Sequence, residues 1–437
     1  MLTDARNVSG RIRDAVSSGL GSTKPPRLLP NQKRIVTTAV TLLPELLPGA
    51  SSDPMTVHFS RDELLARRTR TLAAMAKREL DCMLLFKQES MYWLTGYDTF
   101  GYCFFQCLVL RADGDLVLLT RAPDLRQAEH TSIIEAVRIW VDRADSDPAT
   151  ELRVLLAEKG LAGKRLGIEY ETHGLTAANG RRLDAALDGF AEARDASDLI
   201  ARLRLVKSEA ELAYVRRAAE LADAALEAAI GQTSAGADEG AILAAMHTAV
   251  FQGGGDYPGN PFIIGSGRDA LLCRYRSGRR KLSSPDQLTL EFAGVYRQYH
   301  ACLMRTLLVG TASARQRALH AACVEALLAC EAELMPGTPM GAVFDAHAGV
   351  FDRHGLRAHR LNACGYSLGA TYAPSWMDWP MFFSGNPVEV GPGMVFFLHM
   401  IVADSEAGLA MTLGRTSLIG ERGPEPLSRA PLDLIVR

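Results

Sequence analysis

The chain has 437 residues, of which 48% are hydrophobic and 22% charged, and its formal net charge is −2. This composition is typical of a globular protein with two or three domains. No Lys/Arg cluster is interleaved with aromatic residues, which argues against nucleic-acid binding, and no apolar run reaches the ~20 residues that span a bilayer.

Eight cysteines are scattered along the chain without a Cys-x-x-Cys pair. This spacing favours reduced thiols in a cytoplasmic protein over a disulfide framework or a structural zinc site. Residues 1–54 are rich in Arg, Ser, Thr and Pro and lack a secretory cleavage pattern, so we expect them to form a poorly ordered leader.

Helix and strand patterns alternate over residues 55–200. A stripe of Leu and Met predicts a helix near residues 60–80, and Cys82–Phe86 predicts a short buried strand. A hairpin is predicted around Asp113–Gly114, and Leu166–Tyr170 predicts a strand between two helices. These patterns indicate an α/β N-terminal domain.

Residues 201–437 have longer helices and a second set of strands. Ser208 and Glu211 have the spacing of a capping box at the start of a long amphipathic helix. Further helices are predicted at residues 238–252, 312–334 and 340–354, and strands at residues 261–265, 395–402 and 409–413. The prediction is an α+β domain in which long helices cover one sheet.

The segment Asp286–Gly310 combines two apolar runs with one carboxylate. The runs predict a strand pair with its turn at Ala293–Gly294. Glu291 lies inside the first run, Leu288–Phe292, where an unpaired carboxylate costs free energy to bury. Glu291 therefore either faces water on an open strand face or is a functional group with a raised pKa.

Three motifs, in this order, resemble the creatinase, prolidase and methionine aminopeptidase family. They are Lys207-Ser208-x-x-Glu211, the hairpin ending in Arg305-Thr306, and Gly365-x-x-Leu368-Gly369 followed by Pro392-Gly393-Met394-Val395. The resemblance runs from residue 55 to the C-terminus. It implies an α/β N-terminal domain over residues 55–200 plus an α+β C-terminal pita-bread domain (creatinase/aminopeptidase-like) over residues 201–437.

The resemblance also implies a homodimer, in which the N-terminal domain of one subunit approaches the active site of the other. The aromatic-rich stretch Tyr92–Phe105 is a candidate for that contact. Packing in the core is the alternative for the same residues.

The metallopeptidases of this family hold two metal ions with two Asp, one His and two Glu. The corresponding positions in this chain are Glu291, Cys302, Tyr366, His399 and Gly414. A two-metal site needs several carboxylate ligands, and only Glu291 supplies one. The resemblance therefore implies an enzyme with no metal or other cofactor, with a mononuclear site of Glu291, Cys302 and His399 as the alternative.

Other departures separate the chain from the two best-defined activities of the family. The proton-donating His of the metallopeptidases aligns with Arg274, and the catalytic His of creatinase aligns with Gly259. The chain most resembles the ectoine hydrolases, metal-free members of this fold that open a cyclic amidine. The similarity is carried by residues 290–306, 361–369, 375–380 and 395–400.

Opening a cyclic amidine needs a nucleophile or base and a proton donor. Glu291 could attack as a carboxylate or could activate water, and both options remain open. By its type and pKa, His399 is expected to donate the proton, with His300 and Tyr366 as second candidates. A core histidine bonded to backbone is the alternative for both His residues.

Substrate-binding groups are predicted around a tryptophan loop and two arginines. The loop could offer aromatic faces and a counter-charge to a cation; its candidates are Tyr372, Trp376, Asp378 and Trp379. Arg274 or Arg305 could bind a carboxylate in bidentate fashion, and Cys302 is a further pocket candidate. A lid or dimer contact is the alternative for the loop, and a structural ion pair for Arg305.

These patterns leave three functional hypotheses. The leading one is a metal-independent hydrolase of a C–N bond in a small cyclic amidine or amide, with ectoine as the first substrate. The second is an Xaa-Pro dipeptidase-like metallopeptidase with an atypical site, and the third is a catalytically inactive protein that binds a small molecule.

Overall fold

The computed structural model describes residues 57–274 and 279–437. The predicted leader, residues 1–54, lies outside these ranges. Within them, no helix is long and apolar enough to cross a membrane.

Within the described residues, the first sheet has six strands in the order β4-β3-β2-β1-β5-β6. Helices connect the strands along the chain, except that β2 and β3 form the predicted hairpin. The strands are β1 Cys82–Leu85, β2 Cys107–Arg111, β3 Leu116–Arg121, β4 Ala136–Trp140, β5 Arg165–Ile168 and β6 Glu192–Asp195. The helices are α1 Arg61–Lys77, α2 Gln88–Thr95, α3 Leu125–Thr131, α4 Pro148–Glu158, α5 Ala177–Leu187 and α6 Asp198–Leu205. This part has the predicted α/β architecture.

In the part of the chain that the structure describes, the second sheet has nine strands, in the order β11-β10-β12-β13-β9-β8-β7, with β14 on β13 and β15 on β9. The strands are β7 Ile263–Ser266, β8 Asp286–Tyr296, β9 Tyr299–Val309, β10 Gly365–Ser367, β11 Asp378–Met381, β12 Val395–Asp404, β13 Leu409–Gly420, β14 Gly423–Pro426 and β15 Ile435–Val436. The helices are α7 Glu209–Gln232, α8 Glu239–Gln252, α9 Ala314–Glu333 and α10 Met340–Arg353. Helix α7 packs on β8 and β9, and α9 packs on β12 and β13.

The predicted start of α7 is confirmed in detail. The Ser208 side chain accepts a hydrogen bond from the backbone N–H of Glu211, and the Glu211 side chain accepts one from the backbone N–H of Ser208. This reciprocal cap satisfies two donors that a helix N-terminus otherwise leaves unpaired.

The prediction of a turn at Ala293–Gly294 is wrong. Strand β8 continues through both residues, and the turn lies at Arg297 and Gln298, whose φ angles are 50° and 68°. Gly294 serves a different purpose: a Cβ atom there would lie 1.9 Å from the carbonyl oxygen of Ala218 in α7. Only glycine permits this close approach of helix and strand.

The contact of Gly294 with α7 also identifies the two faces of β8. Side chains alternate along a strand, so Leu290 and Phe292 point to the helices, whereas Thr289 and Glu291 point to the opposite face. We call that opposite face of the nine-stranded sheet the site face.

Residues that pair across neighbouring strands form rows on the site face. Glu291 pairs with Met304, Met304 with Gly414, and Gly414 with His399, which places both ends of this row on the same face. One flanking row contains Ala293, Cys302, Thr416, Phe397 and Tyr366, and the other contains Thr289, Thr306, Thr412 and Ile401. Four strands thus supply the predicted residues Glu291, Cys302, Tyr366 and His399.

Two histidines at α10 differ in exposure. His347 is buried against the rings of Phe344 and Phe351. His354, which follows the last residue of the helix, is exposed and contacts Glu325.

Substituting Gly294 by Ala should destabilise the protein by about 3 kcal/mol or more, because the added methyl group overlaps the α7 backbone. Urea unfolding followed by circular dichroism would measure this change. Gly180→Ala is the matched control, since Gly180 lies within α5 with open space around its Cα. That substitution should stabilise by up to about 1 kcal/mol; equal effects of the two would contradict the close-approach explanation.

Candidate active site

Glu291 is buried on the site face and is held by a chain of two hydrogen bonds. The Tyr366 hydroxyl donates to Glu291 Oε1 at 3.3 Å and accepts from the Trp376 indole Nε1 at 2.8 Å. Because the indole is only a donor, it fixes the direction in which the phenol proton points. The chain therefore orients the carboxylate.

Burial raises the pKa of Glu291 to about 7, although the charge of Arg274 and the hydrogen bond from Tyr366 oppose this rise. Near neutral pH the carboxyl group is consequently divided between its two protonation states. A group with that pKa can both accept and return a proton in the same reaction.

Arg274 acts on both Glu291 and His399. Burial lowers the pKa of His399 to about 4, and the positive charge of Arg274 adds to this effect. The expectation that the pKa of His399 suits it to proton donation is therefore wrong, because an imidazolium is not populated near pH 7. His399 can donate only as a neutral ring, and its Nδ1 has no hydrogen-bond partner among the described residues.

Two cysteines lie close to Glu291. Burial and the neighbouring carboxylate raise the pKa of both Cys302 and Cys273. Each thiol is therefore protonated at neutral pH, when it can donate a weak hydrogen bond but is not a thiolate nucleophile. Cys302 was predicted as a pocket residue, and Cys273 was not.

The structure does not support His300 as a proton donor. Its Nε2 accepts from the backbone N–H of Gly259 at 2.8 Å, and its Nδ1 lies 2.9 Å from the carbonyl oxygen of Gln298. Burial also lowers the pKa of His300 to about 4. With both ring nitrogens bonded to backbone, this residue braces the hairpin turn, which was the alternative interpretation.

The tryptophan loop does not form the predicted cation site. Asp378 pairs with Arg204 at 2.7 Å, and both side chains are buried, so this carboxylate already has its counter-charge. The ring of Trp379 lies under the guanidinium of Arg202, 4.8 Å from the ring centre. Only Trp376 reaches the Glu291 network, and it does so through Tyr366.

Tyr372 was also predicted to bind substrate and instead joins two parts of the chain. Its hydroxyl donates to Asp98 at 2.8 Å, and its ring packs edge-on against Tyr92 and Tyr102. Asp98 also accepts from Gln298 of the hairpin turn. These contacts anchor the loop before β11 rather than expose it to a ligand.

Arg305 lies on the other side of the sheet. It pairs with Leu413 on the helix-covered face, and its Nη1 donates to the carbonyl oxygens of Met304 and Gly414 at 2.9 and 2.7 Å. It therefore cannot reach a substrate beside Glu291. Among the described residues it also makes no ion pair, so neither interpretation of Arg305 holds.

Sequence reasoning missed Thr289 and Cys273. Thr289 lies two residues before Glu291 on β8, and strand alternation alone places both side chains on one face. Cys273 carries no such signal, because it lies in a non-strand segment, whose side-chain direction the sequence pattern does not define.

The residues present do not fit the two metal ions of the family metallopeptidases. Gly414 has no side chain, Cys302 offers a thiol where the family has a carboxylate, and the Tyr366 hydroxyl is bonded to Trp376 and Glu291. Within residues 57–274 and 279–437, no three His, Cys, Asp or Glu side chains lie close enough together to hold a metal ion. The mononuclear alternative of Glu291, Cys302 and His399 is therefore not formed either.

Comparison with known proteins gives the same architecture. Residues 67–206 match the creatinase/prolidase N-terminal domain, and residues 213–421 match metallopeptidase family M24. The ectoine hydrolase of Halomonas elongata is 26% identical over 87% of this chain and 98% of its own, and the Xaa-Pro dipeptidase of Pyrococcus horikoshii is 21% identical over 83% and 96%. The crystal structure of a prolidase from Thermococcus sibiricus has the same fold, with a TM-score of 0.78 and 20% identity over 87% of this chain and 100% of its own.

The raised pKa of Glu291 makes a prediction about stability. In the unfolded chain the pKa returns to its ordinary value of 4.5. The protonated carboxyl group thus contributes to the free energy of unfolding. This contribution is fully present below pH 4.5 and is lost as the pH rises through about 7. The side chain of the Glu291→Gln variant stays neutral at every pH. Compared with that variant, the free energy of unfolding of the wild type should fall by up to about 3 kcal/mol as the pH rises from 4.5 to about 7.

Urea unfolding of both proteins between pH 5 and 8 would measure the difference. Glu227→Gln, on the exposed side of α7, removes a carboxylate without touching the site. A constant difference between wild type and Glu291→Gln across this range would show that the carboxyl group does not titrate there.

Proposed function

Because this chain belongs to the creatinase and prolidase group of metallopeptidase family M24, we propose that it is a hydrolase that opens a small cyclic amidine without a metal ion. Ectoine is the first substrate to consider, and the product would be N-acetyl-diaminobutyrate. The similarity to an ectoine hydrolase supports this choice.

The observation that carries the proposal is the setting of Glu291. It is the one carboxylate at the five family metal-ligand positions, and its pKa of about 7 suits acid–base work at neutral pH. A metal ion lowers the pKa of bound water in the metallopeptidases. Here a carboxylate held by Tyr366 and flanked by Arg274 would perform the activation instead.

In the proposed reaction, Glu291 transfers protons between water and the leaving nitrogen. Water adds to the amidine carbon while Glu291 takes one of its protons, which gives a tetrahedral adduct bearing two nitrogens. One C–N bond then breaks while the hydroxyl group of the adduct becomes the carbonyl group of the amide. The leaving nitrogen takes the proton that Glu291 holds, and Glu291 then passes the hydroxyl proton to the same nitrogen, so that the cationic amidine gives an amide and an ammonium group. Glu291 ends in its starting state, as a catalyst must.

Arg274 and Tyr366 have supporting roles in this proposal. The guanidinium of Arg274 would bind the carboxylate that ectoine carries, which points the amidine carbon at Glu291. Tyr366 would keep Glu291 Oε1 in place, and neutral His399 would offer a hydrogen bond to the substrate ring.

We also propose that the protein is a homodimer. In the stretch Tyr92–Phe105, the side chains of Phe100 and Phe104 are 77% and 49% exposed, whereas Tyr92 and Trp93 are buried. Adjacent exposed aromatic side chains are typical of interaction surfaces.

Analytical ultracentrifugation should give a dimer for the wild type and a monomer for Phe100→Ser/Phe104→Ser; a monomeric wild type would end this proposal. The cytoplasmic location remains a prediction from the cysteine pattern.

The proposed activity would be tested by NMR of ectoine mixed with protein that has been dialysed against chelator and assayed for residual metal. We expect ring opening that chelator does not abolish, and a loss of at least about 10³-fold in kcat for Glu291→Gln with the fold retained.

Two other results would overturn the proposal. Cleavage of Xaa-Pro dipeptides only after Mn²⁺ or Zn²⁺ is added would favour the atypical metallopeptidase. A rise in melting temperature with ectoine, but no turnover by the wild type, would favour a binding protein without catalytic activity.

A further inference from the structure

A small cavity lies beside Glu291, on the side away from Tyr366 and His399. Its volume open to the centre of a water molecule is about 10 Å³. That is about the space that one water molecule requires. Most of its lining is apolar. Among the residues that the structure describes, Glu291 is the only charged one in the lining, and the other polar groups are Cys273, Thr289 and Thr412.

Thr289 is the polar group in this cavity whose bonding is incomplete. Its side chain is only 5% exposed, and its Oγ1 has no hydrogen-bond partner among the described residues. The neighbouring hydroxyls of Thr306 and Thr412 are 3.0 Å apart and bond to each other. A buried hydroxyl without a partner costs free energy, so a group in the cavity that bonds to it would stabilise the fold.

Alternation along β8 directs the Thr289 hydroxyl and the Glu291 carboxylate to the same face, two residues apart. Tyr366 binds Oε1 of that carboxylate, which leaves Oε2 as the acceptor available to a molecule in the cavity. A water molecule there would have the two polar partners that a stable buried water needs.

We propose that this cavity holds the water molecule that is consumed in the reaction, and that Thr289 is the positioning residue for it. The inference rests on the proposed hydrolase function and deepens it, because it gives the reacting water a site and a second hydrogen-bond partner besides Glu291. The water donates one hydrogen to Glu291 Oε2 and the other to Thr289 Oγ1, which leaves an oxygen lone pair free for the amidine carbon. When that bond forms, the first proton passes to Glu291 and later to the leaving nitrogen.

The water site can be tested without turnover. Crystal structures at a resolution that shows ordered water should place a water within hydrogen-bond distance of Thr289 Oγ1 and Glu291 in the wild type. The same water should be lost in Thr289→Val, which has nearly the same shape but no hydroxyl. A wild-type structure without this water, or one in which Thr289→Val keeps it, would overturn the proposal.

Kinetics would test the positioning role. We expect Thr289→Val to lower kcat for ectoine about 10–100-fold with KM within about twofold of the wild type, because the substrate contacts are unchanged. Thr289→Ser keeps the hydroxyl and should retain most of the activity. It should also melt at a lower temperature than Thr289→Val, since it loses the methyl group.

The expected order of the two variants in activity is thus the reverse of their order in stability: Thr289→Val is slower, and Thr289→Ser is less stable. If Thr289 served only in packing, the less stable variant would also be the slower one. Thr120→Val, a buried threonine in the first sheet, is the matched control and should keep the wild-type kcat. A Thr289→Ser variant as slow as Thr289→Val, or a covalent glutamyl adduct trapped on Glu291, would overturn the inference. If the wild type does not open ectoine, the proposed function fails, whereas the crystallographic result still decides the water site.

Discussion

The burial of one carboxylate on a β-sheet is the constraint on which the site depends. Removing Glu291 from water penalises its charged form. The described residues compensate this in part, through one hydrogen bond from Tyr366 and the nearby charge of Arg274. Full compensation would return the pKa to its ordinary range and make the group inert as a base near neutrality. The sheet positions the neighbouring side chains, since cross-strand pairing places Cys302, Met304 and His399 on the same face as Glu291.

The ion pair behind the tryptophan loop shows how the surrounding chain supports that constraint. Arg204 binds both Asp378 and the carbonyl oxygen of Ala370, so it fixes the loop at both ends. The loop carries Trp376, whose indole sets the orientation of Tyr366. Charged and aromatic residues that look like a ligand site in the sequence are therefore used to hold the hydrogen-bond chain in place.

The sequence predicted those features that depend on local pattern. The capping box at Ser208 and the buried strand around Glu291 follow from spacing alone, and the order of motifs indicated the fold. The errors concern contacts between distant segments: Gly294 resembles a turn residue until α7 is packed against it, and His300 resembles a catalytic residue until Gly259 occupies its ring nitrogen. No periodicity encodes such contacts, whereas alternation along β8 would have identified Thr289.

A second buried glutamate shows why a pKa alone does not identify a catalytic group. Burial also raises the pKa of Glu169 to about 7, the same value as for Glu291. Glu169, however, accepts from the backbone N–H groups of Phe86 and Lys87 and from the Ser90 hydroxyl, at the start of α2. Its oxygens are committed to the helix N-terminus, a structural role. Glu291 has one such bond, a cavity the size of a water molecule beside it and an arginine nearby, and these neighbours distinguish a base that can act from a carboxylate that only caps.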